Sequence, residues 1–235
     1  MEHTCGHFLV QYLDKDIRPT RKNENKCLVI IETRTSFWLP LVIKNAIDKC
    51  PEYNLHVFGT PNVIQFLDIH VKGDYKKTRI DCYMRNIQDY NMLLTNTSFW
   101  ERIEEEHIII FQLDTLFLRS PTDNHYKYDY IGAVCGDLQN ENTFIINGGL
   151  SYRSKRAMIK ACDMIEPDDL NKTEDIVFTT LMRKHPDIFS LPTIQTCNNF
   201  AIETIGNVDN AIGIHGTDKY YIFDKTIYSF LKTFT

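Results

Sequence analysis

Residues 107–119 constrain this chain more than any other stretch: three consecutive isoleucines, Ile108, Ile109 and Ile110, lead through Phe111, Gln112 and Leu113 to Asp114. A run of branched apolar residues reads as a strand buried on both faces, the pattern of a parallel sheet covered by helices. Asp114 stands at its far end, before the apolar pattern resumes at Leu116, Phe117 and Leu118. A carboxylate flanked by apolar residues is costly to bury unpaired. It is hydrogen-bonded, exposed at the strand end, or bound to a cation. In open α/β sheets the ligand crevice lies outside the carboxyl ends of the strands, which is where this acid falls. A plain turn capped by Asp fits the same spacing.

The rest of the first half supports that architecture. Cys27–Glu32 is an apolar first strand. Ser36 caps a helix through Trp38, Leu41, Val42, Ala46 and Ile47, with Pro40 tolerable in its first turn. A short second strand covers Leu55–Phe58, residues 64–67 are ambiguous, and 72–77 read as a polar loop. Residues 87–94 and 99–106 read as short helices before the central strand. Strands alternating with helices predict a mostly parallel sheet with right-handed crossovers. In the second half, 128–134 is a strand ending near Gly132, and 145–153 a strand interrupted by Gly148 and Gly149. Residues 154–165 and 174–184 are helical, 188–203 extended, and the tail from Asp224 helical. No repeat or linker divides the 235 residues. The expected organisation is a charged, partly mobile lead-in over 1–26 and one domain over 27–235.

Composition narrows the partners. A net charge of −5 argues against sequence-independent nucleic-acid binding and against attraction to anionic membranes. No apolar run approaches the roughly 20 residues that span a bilayer. The seven cysteines are scattered without a CxxC pair, so neither a zinc site nor a disulfide framework is expected. Reduced thiols and the absence of a signal-like N-terminus point to the cytoplasm, which makes the sequons at Asn96 and Asn171 chance occurrences.

Several short segments follow one another in a recognisable order: Glu32-Thr-Arg34, Tyr90-Asn91, Phe99-Trp100, Phe111-Gln-Leu-Asp114, 128–133, Asn147-Gly-Gly-Leu-Ser-Tyr-Arg153, Glu174-Asp175 and Gly213-Ile-His215. Over roughly residues 27–220 this series resembles a family catalogued as a domain of unknown function (DUF5672) and regarded as glycosyltransferase-like. More distantly it is similar to metal-dependent nucleotide-sugar transferases of the GT-A fold, including the glycogenin type. The resemblance implies a Rossmann-like α/β GT-A domain. It also implies transfer of a sugar from a UDP- or GDP-linked donor to a hydroxyl on a glycan, protein or small molecule.

The same resemblance assigns roles. GT-A enzymes carry Asp-x-Asp at a strand end to hold Mn²⁺ or Mg²⁺ against the donor diphosphate, whose leaving charge a Lewis acid stabilises. Here that station is Gln112-Leu113-Asp114, with an amide in place of the first acid, which weakens the expected metal affinity. His215 falls where such enzymes supply a further metal ligand. Glu32, Arg34 and Asn91 are expected around the nucleotide, with Tyr90 beside them. Asn147, Gly148 and Gly149 would line the donor pocket, the missing Cβ atoms leaving room for the sugar. A bulge or tight turn is the plain alternative for these glycines. Asp175, or Glu174 beside it, would be the general base toward the acceptor hydroxyl. Both acids also suit a first helical turn without any function. Phe37, Trp38, Phe99 and Trp100 are expected in the core. Competing readings are a non-catalytic nucleotide-sugar or carbohydrate binder, favoured by Gln112, and a metal-dependent phosphoesterase using Asp114, Asp175 and His215. The second lacks the paired Asp or clustered His such enzymes need.

Overall fold

A computed structural model describes residues 6–22, 24–81, 84, 86–135 and 140–216. The expected helix from Asp224, and two of the cysteines, Cys5 and Cys82, lie outside the described residues.

The central isoleucines form β4 (His107–Phe111), in which residues 108–111 are completely buried. On one side β4 pairs in parallel with β1 (Lys26–Glu32), which pairs in parallel with β2 (Asn54–Gly59), and β2 in turn with β3 (Lys76–Arg79). On the other side β4 pairs antiparallel with the long strand β7 (Ile145–Ser154), whose outer neighbour is β6 (Tyr130–Cys135), again antiparallel. The result is a mixed α/β domain around a six-stranded, mostly parallel sheet of order β3-β2-β1-β4-β7-β6. Helices α2 (Trp38–Lys49) and α3 (Pro61–His70) join the parallel strands, and α4 (Ile87–Leu94) and α5 (Thr97–Glu101) precede β4. Beyond the sheet, α6 (Lys155–Cys162) and α7 (Glu174–Lys184) follow β7, and α8 (Ile194–Phe200) follows α7. A small second sheet of order β5-β9-β8 joins β5 (Leu116–Phe117), β9 (Gly213–Ile214) and β8 (Ala201–Ile202).

The N-terminal helix α1 (Gly6–Leu9) and the turn after it are packed down, with Phe8, Leu9 and Tyr12 buried. The Tyr12 hydroxyl donates to Asp48 Oδ2 at 2.9 Å. Phe99 and Trp100 are buried, as expected, whereas Phe37 is 57% exposed. The described cysteines, Cys27, Cys50, Cys135, Cys162 and Cys197, are all free thiols. No described helix is long and apolar enough to cross a membrane.

Several local expectations are corrected. Residues 64–67 belong to α3, which opens with Pro61 in its first turn. The expected loop over 72–77 ends inside β3, a strand with alternating burial. The helix expected over 99–106 stops at Glu101. Its remaining residues span to β4, with Glu105 Oε1 accepting from Asn54 Nδ2 at 2.6 Å and Lys76 Nζ donating to the Arg102 carbonyl at 2.7 Å. The extended reading of 188–203 is overturned by α8. Thr193 caps that helix through Oγ1, and both Glu141 carboxylate oxygens accept from Ile194 N. Finally, β7 itself is one strand, but its pairing with β6 slips at the glycines as expected: Gly132 faces Ser151 and Val134 faces Ile146, so residues 147–150 bulge opposite Ala133.

Candidate functional site

The chain runs from β1 outward to β2 and β3, then returns to β4 on the other side of β1. The carboxyl ends of β1 and β4 therefore flank a topological switch point, where open sheets form their ligand crevice. β1 ends on Glu32, and β4 leads directly into Gln112, Leu113 and Asp114. Because β7 runs antiparallel with Leu150 opposite Phe111, Asn147, Gly148 and Gly149 arrive at the same edge.

His215 is brought in by the small sheet. Leu116 pairs with Ile214 in antiparallel register, which places His215 opposite the turn that follows Asp114. That turn is closed by Thr115, whose Oγ1 accepts from Gln112 N at 3.2 Å and whose own N–H donates to the Gln112 carbonyl at 3.2 Å. The imidazole is almost wholly buried. Its Nε2 lies 3.4 Å from Asp114 Oδ1 and 3.2 Å from Gln112 Oε1. Its Nδ1 faces the opposite way, 3.7 Å from Glu203 Oε1.

The sequence reading missed Glu203. The available signal was faint: an acid directly after the apolar pair Ala201 and Ile202, the pattern that singled out Asp114 after a longer run.

A carboxylate, an amide carbonyl and an imidazole nitrogen thus converge at the end of β4. Bonds of about 2.1 Å to a hard divalent cation place neighbouring ligands about 3 Å apart, so these three donors suit part of an octahedral Mn²⁺ or Mg²⁺ shell. Glu203 cannot join it, because it sits at the far edge of the imidazole. Among the described residues no group of three His, Cys, Asp or Glu side chains surrounds a common point. An ion here would need oxygens from a ligand and from water.

Beside this cluster, Glu32 is buried and heavily engaged. Its Oε1 accepts from Thr33 N, Arg34 N and Arg34 Nε at 2.9, 2.9 and 3.0 Å, and its Oε2 from Arg34 Nη2 at 3.1 Å. The Arg34 side chain is 66% exposed, so its head is fixed by Glu32 while remaining open to solvent. Hydrogen bonding and attraction from Glu32 raise the Arg34 pKa above its ordinary value, and Asp114 adds to the same field. The guanidinium therefore stays charged at the lip of the switch point, where it can pair with a phosphate.

The space beside the glycines is filled by protein rather than left open. A Cβ on Gly149 would come within 1.9 Å of His215 Nε2, and one on Gly148 within 2.0 Å of Glu174 Oε1. Glu174 is itself locked to Arg153 by two bonds of 2.8 and 2.9 Å. The guanidinium lies in an aromatic box of Tyr130, Trp100 and Phe178, at 4.7, 5.7 and 5.7 Å from the ring centroids. Burial raises the Glu174 pKa while Arg153 opposes it. Both Glu174 oxygens are spent on this pair, so the acid of the two that reaches solvent is Asp175. Its Oδ1 accepts from Thr173 Oγ1 and from Ile176 N.

Asn91 is also committed to the fold, its Oδ1 accepting from Glu174 N at 3.1 Å. The Tyr90 hydroxyl is buried close by, its pKa raised by burial and then by the negative charge of Glu174.

Residues 75–215 match the family described as a protein of unknown function (DUF5672). The chain belongs to this family. The DUF5672 match takes in Gln112, Asp114, the Asn147–Gly149 segment, Glu174, Asp175, Glu203 and His215. Glu32 and Arg34 precede it. No curated protein matches the chain.

Proposed function

We propose that the protein is a glycosyltransferase with a GT-A-like fold, moving a sugar from a UDP- or GDP-linked donor to a hydroxyl acceptor on a glycan, protein or small molecule. The observation that carries this reading is the convergence of Asp114, Gln112 and His215 at the switch point beside the charged Arg34. A catalytic crevice for a diphosphate-linked donor needs cationic help on one side and a proton acceptor on the other. Arg34 offers the first within this chain and Asp175 the second.

Asp114, Gln112 and His215 would hold Mn²⁺ or Mg²⁺, which when bound stabilises the charge that develops on the leaving diphosphate. Arg34 would pair with a phosphate oxygen, held at the correct lip by Glu32. Asp175 would take the proton from the acceptor hydroxyl as that oxygen bonds to the anomeric carbon. The bond from that carbon to the phosphate oxygen breaks, and its electron pair leaves with the nucleoside diphosphate. This assignment is an inverting displacement, with Glu174 and Arg153 supporting Asp175 rather than reacting.

Calorimetry of the full chain with UDP and GDP tests the reading. Mn²⁺ should strengthen nucleotide binding, and Asp114→Ala should abolish that enhancement. Equal binding by the variant would remove Asp114 from the metal role. A second reading, a nucleotide-sugar binder without turnover, is favoured by the amide at Gln112. It predicts binding with no release of nucleoside diphosphate when acceptors are supplied.

A further inference from the structure

The chain that forms the lip at Arg34 turns at once into a groove of about 540 Å³ between the start of α2 and the end of α3. Its walls are largely apolar, built from Leu13, Phe37, Pro40, Phe66 and Ile69. Three of these side chains stay open to solvent, Ile69 at 63%, Phe37 at 57% and Leu13 at 46%. Apolar residues scattered singly over a surface are ordinary, but a contiguous patch marks a face that something else covers. At the same groove Lys44 Nζ donates to the carbonyls of Tyr12 and Leu13 at 3.1 and 3.3 Å, so its ammonium is held there by neutral acceptors.

The same chain carries an apolar stripe that needs such a face. After His215 and Gly216 the sequence continues through residues 217–235, which lie outside the described residues. There Phe223, Ile227, Phe230, Leu231 and Phe234 fall at i, i+4, i+7, i+8 and i+11, the spacing of a helix with one apolar side. Lys225, Ser229 and Lys232 fall on the other side. A helix this short is marginal in water unless its apolar side is packed. Its point of departure is close to the groove. His215 Nε2 lies 3.4 Å from Asp114 Oδ1, the Asp114 charge acts on Arg34, and the groove starts at Thr35. Residues 217–222 separate Gly216 from the stripe, and extended they reach about 20 Å.

We propose that residues 223–234 dock in this groove as an amphipathic helix, covering Phe37, Phe66 and Ile69 and bringing Asp224 toward Lys44. On its way from β9 to α2 the segment crosses the mouth of the candidate crevice beside Arg34. The occupant is this chain's own segment rather than a second copy, because a short flexible tether holds it near the groove at an effective concentration of about millimolar. The docking concerns packing and stands whether or not the transferase reading does.

Photo-cross-linking on the full chain tests the docking directly. Benzoylphenylalanine placed at Phe37 and, in a second variant, at Ile69 should join on irradiation to residues 220–232 of the same chain, located by mass spectrometry of the digested protein. Adding Phe230→Asp to either variant should abolish that cross-link. In a parallel hydrogen-exchange measurement, residues 223–234 should be protected in the unaltered protein. Ile69→Asp should remove that protection while exchange in β4 stays unchanged, which separates undocking from unfolding. Cross-links that join two chains would overturn the proposal and make the groove a face for self-association. So would the absence of any cross-link to residues 220–232 from both probes, or exchange over 223–234 as fast as in an unfolded chain. If the Phe37 variant does not fold, the more exposed Ile69 position carries the comparison.

Discussion

Gly148 and Gly149 are neighbours, but a methyl group on each would strike a different partner. At Gly149 it meets the imidazole of His215, and at Gly148 it meets the Glu174 carboxylate and Arg153 Nη2, the latter at 2.6 Å. Overpacking costs roughly 1–3 kcal/mol when neighbours can yield. Gly149→Ala should therefore cost about that much and, by moving His215, weaken Mn²⁺-dependent nucleotide binding. Gly148→Ala should cost more and leave metal binding less affected, because it pries at a buried ion pair. Losing one partner of such a pair costs about 3–5 kcal/mol. Chemical denaturation beside calorimetry separates the two outcomes. The third test at this scale concerns Asp175. Replacing it by Asn keeps the shape and the acceptor oxygen for Ile176 N but removes the capacity to take a proton. Turnover should fall by the roughly 10²–10⁴-fold typical of a lost general base, while donor affinity stays put. Near-normal turnover, followed by nucleoside diphosphate release, would move the mechanism away from an enzymic base at this position.

The start of α7 shows how an element can be held by a distant one. Thr173 occupies its N-cap position without a capping bond, because the Thr173 hydroxyl donates to Asp175 instead. The orphan amide of Glu174 is satisfied from α4, through Asn91. Asn91→Ala should destabilise the fold by about 0.5–2 kcal/mol, the range for a lost helix cap, and lower turnover by loosening Asp175. Hydrogen exchange at Glu174 and its neighbours would report the loosening, and an unchanged exchange rate would contradict it. Elements whose signals were local were readable from the chain: β1, β4 and α2 carry strong apolar patterns, and Pro40 falls in the first turn of α2. α8 was not, because Thr196, Cys197, Asn198 and Asn199 have weak helical preference. It is held instead by the Thr193 cap and by Glu141, which lies far away in sequence.

For the molecule as a whole, buried histidines set the response to acid. His56 stacks on Phe58 with ring centroids 4.1 Å apart, and its Nε2 shares a hydrogen bond with Thr78 Oγ1 at 2.7 Å. Burial, reinforced by the charge of Lys76, pulls its pKa from 6.5 down to about 3. Burial lowers His107 and His125 in the same direction. An unfolded chain takes up a proton at His56 as the pH falls through about 6.5, and the folded one holds it off until about pH 3. Stability is thus full above that pH and declines below it, by up to about 1.4 kcal/mol per pH unit for His56, with His107 and His125 acting in the same direction. Thermal unfolding should show the melting temperature falling between about pH 7 and pH 5, and His56→Gln should flatten that slope. A profile level across this window in the unaltered protein would contradict the burial of these rings.

What the sequence determined by itself was local in origin. The apolar run before Asp114 specified a strand covered on both faces, and the alternation of elements specified a mostly parallel sheet, because side-chain periodicity follows from backbone geometry alone. It also marked Asp114 and His215, which the fold places 3.4 Å apart although they are distant in the chain. Only the tertiary structure could decide which acids are free to act. Glu174 and Asp175 are adjacent in sequence and look equivalent there. A guanidinium from β7 consumes one and leaves the other at the surface. Likewise, the absent Cβ atoms of Gly148 and Gly149 announced space, but its occupants, Glu174 and His215, come from elements that only long-range packing brings together. Glu203 became visible for the same reason. Its position depends on the register of β8 against β9, and no local pattern encodes the pairing of two short strands.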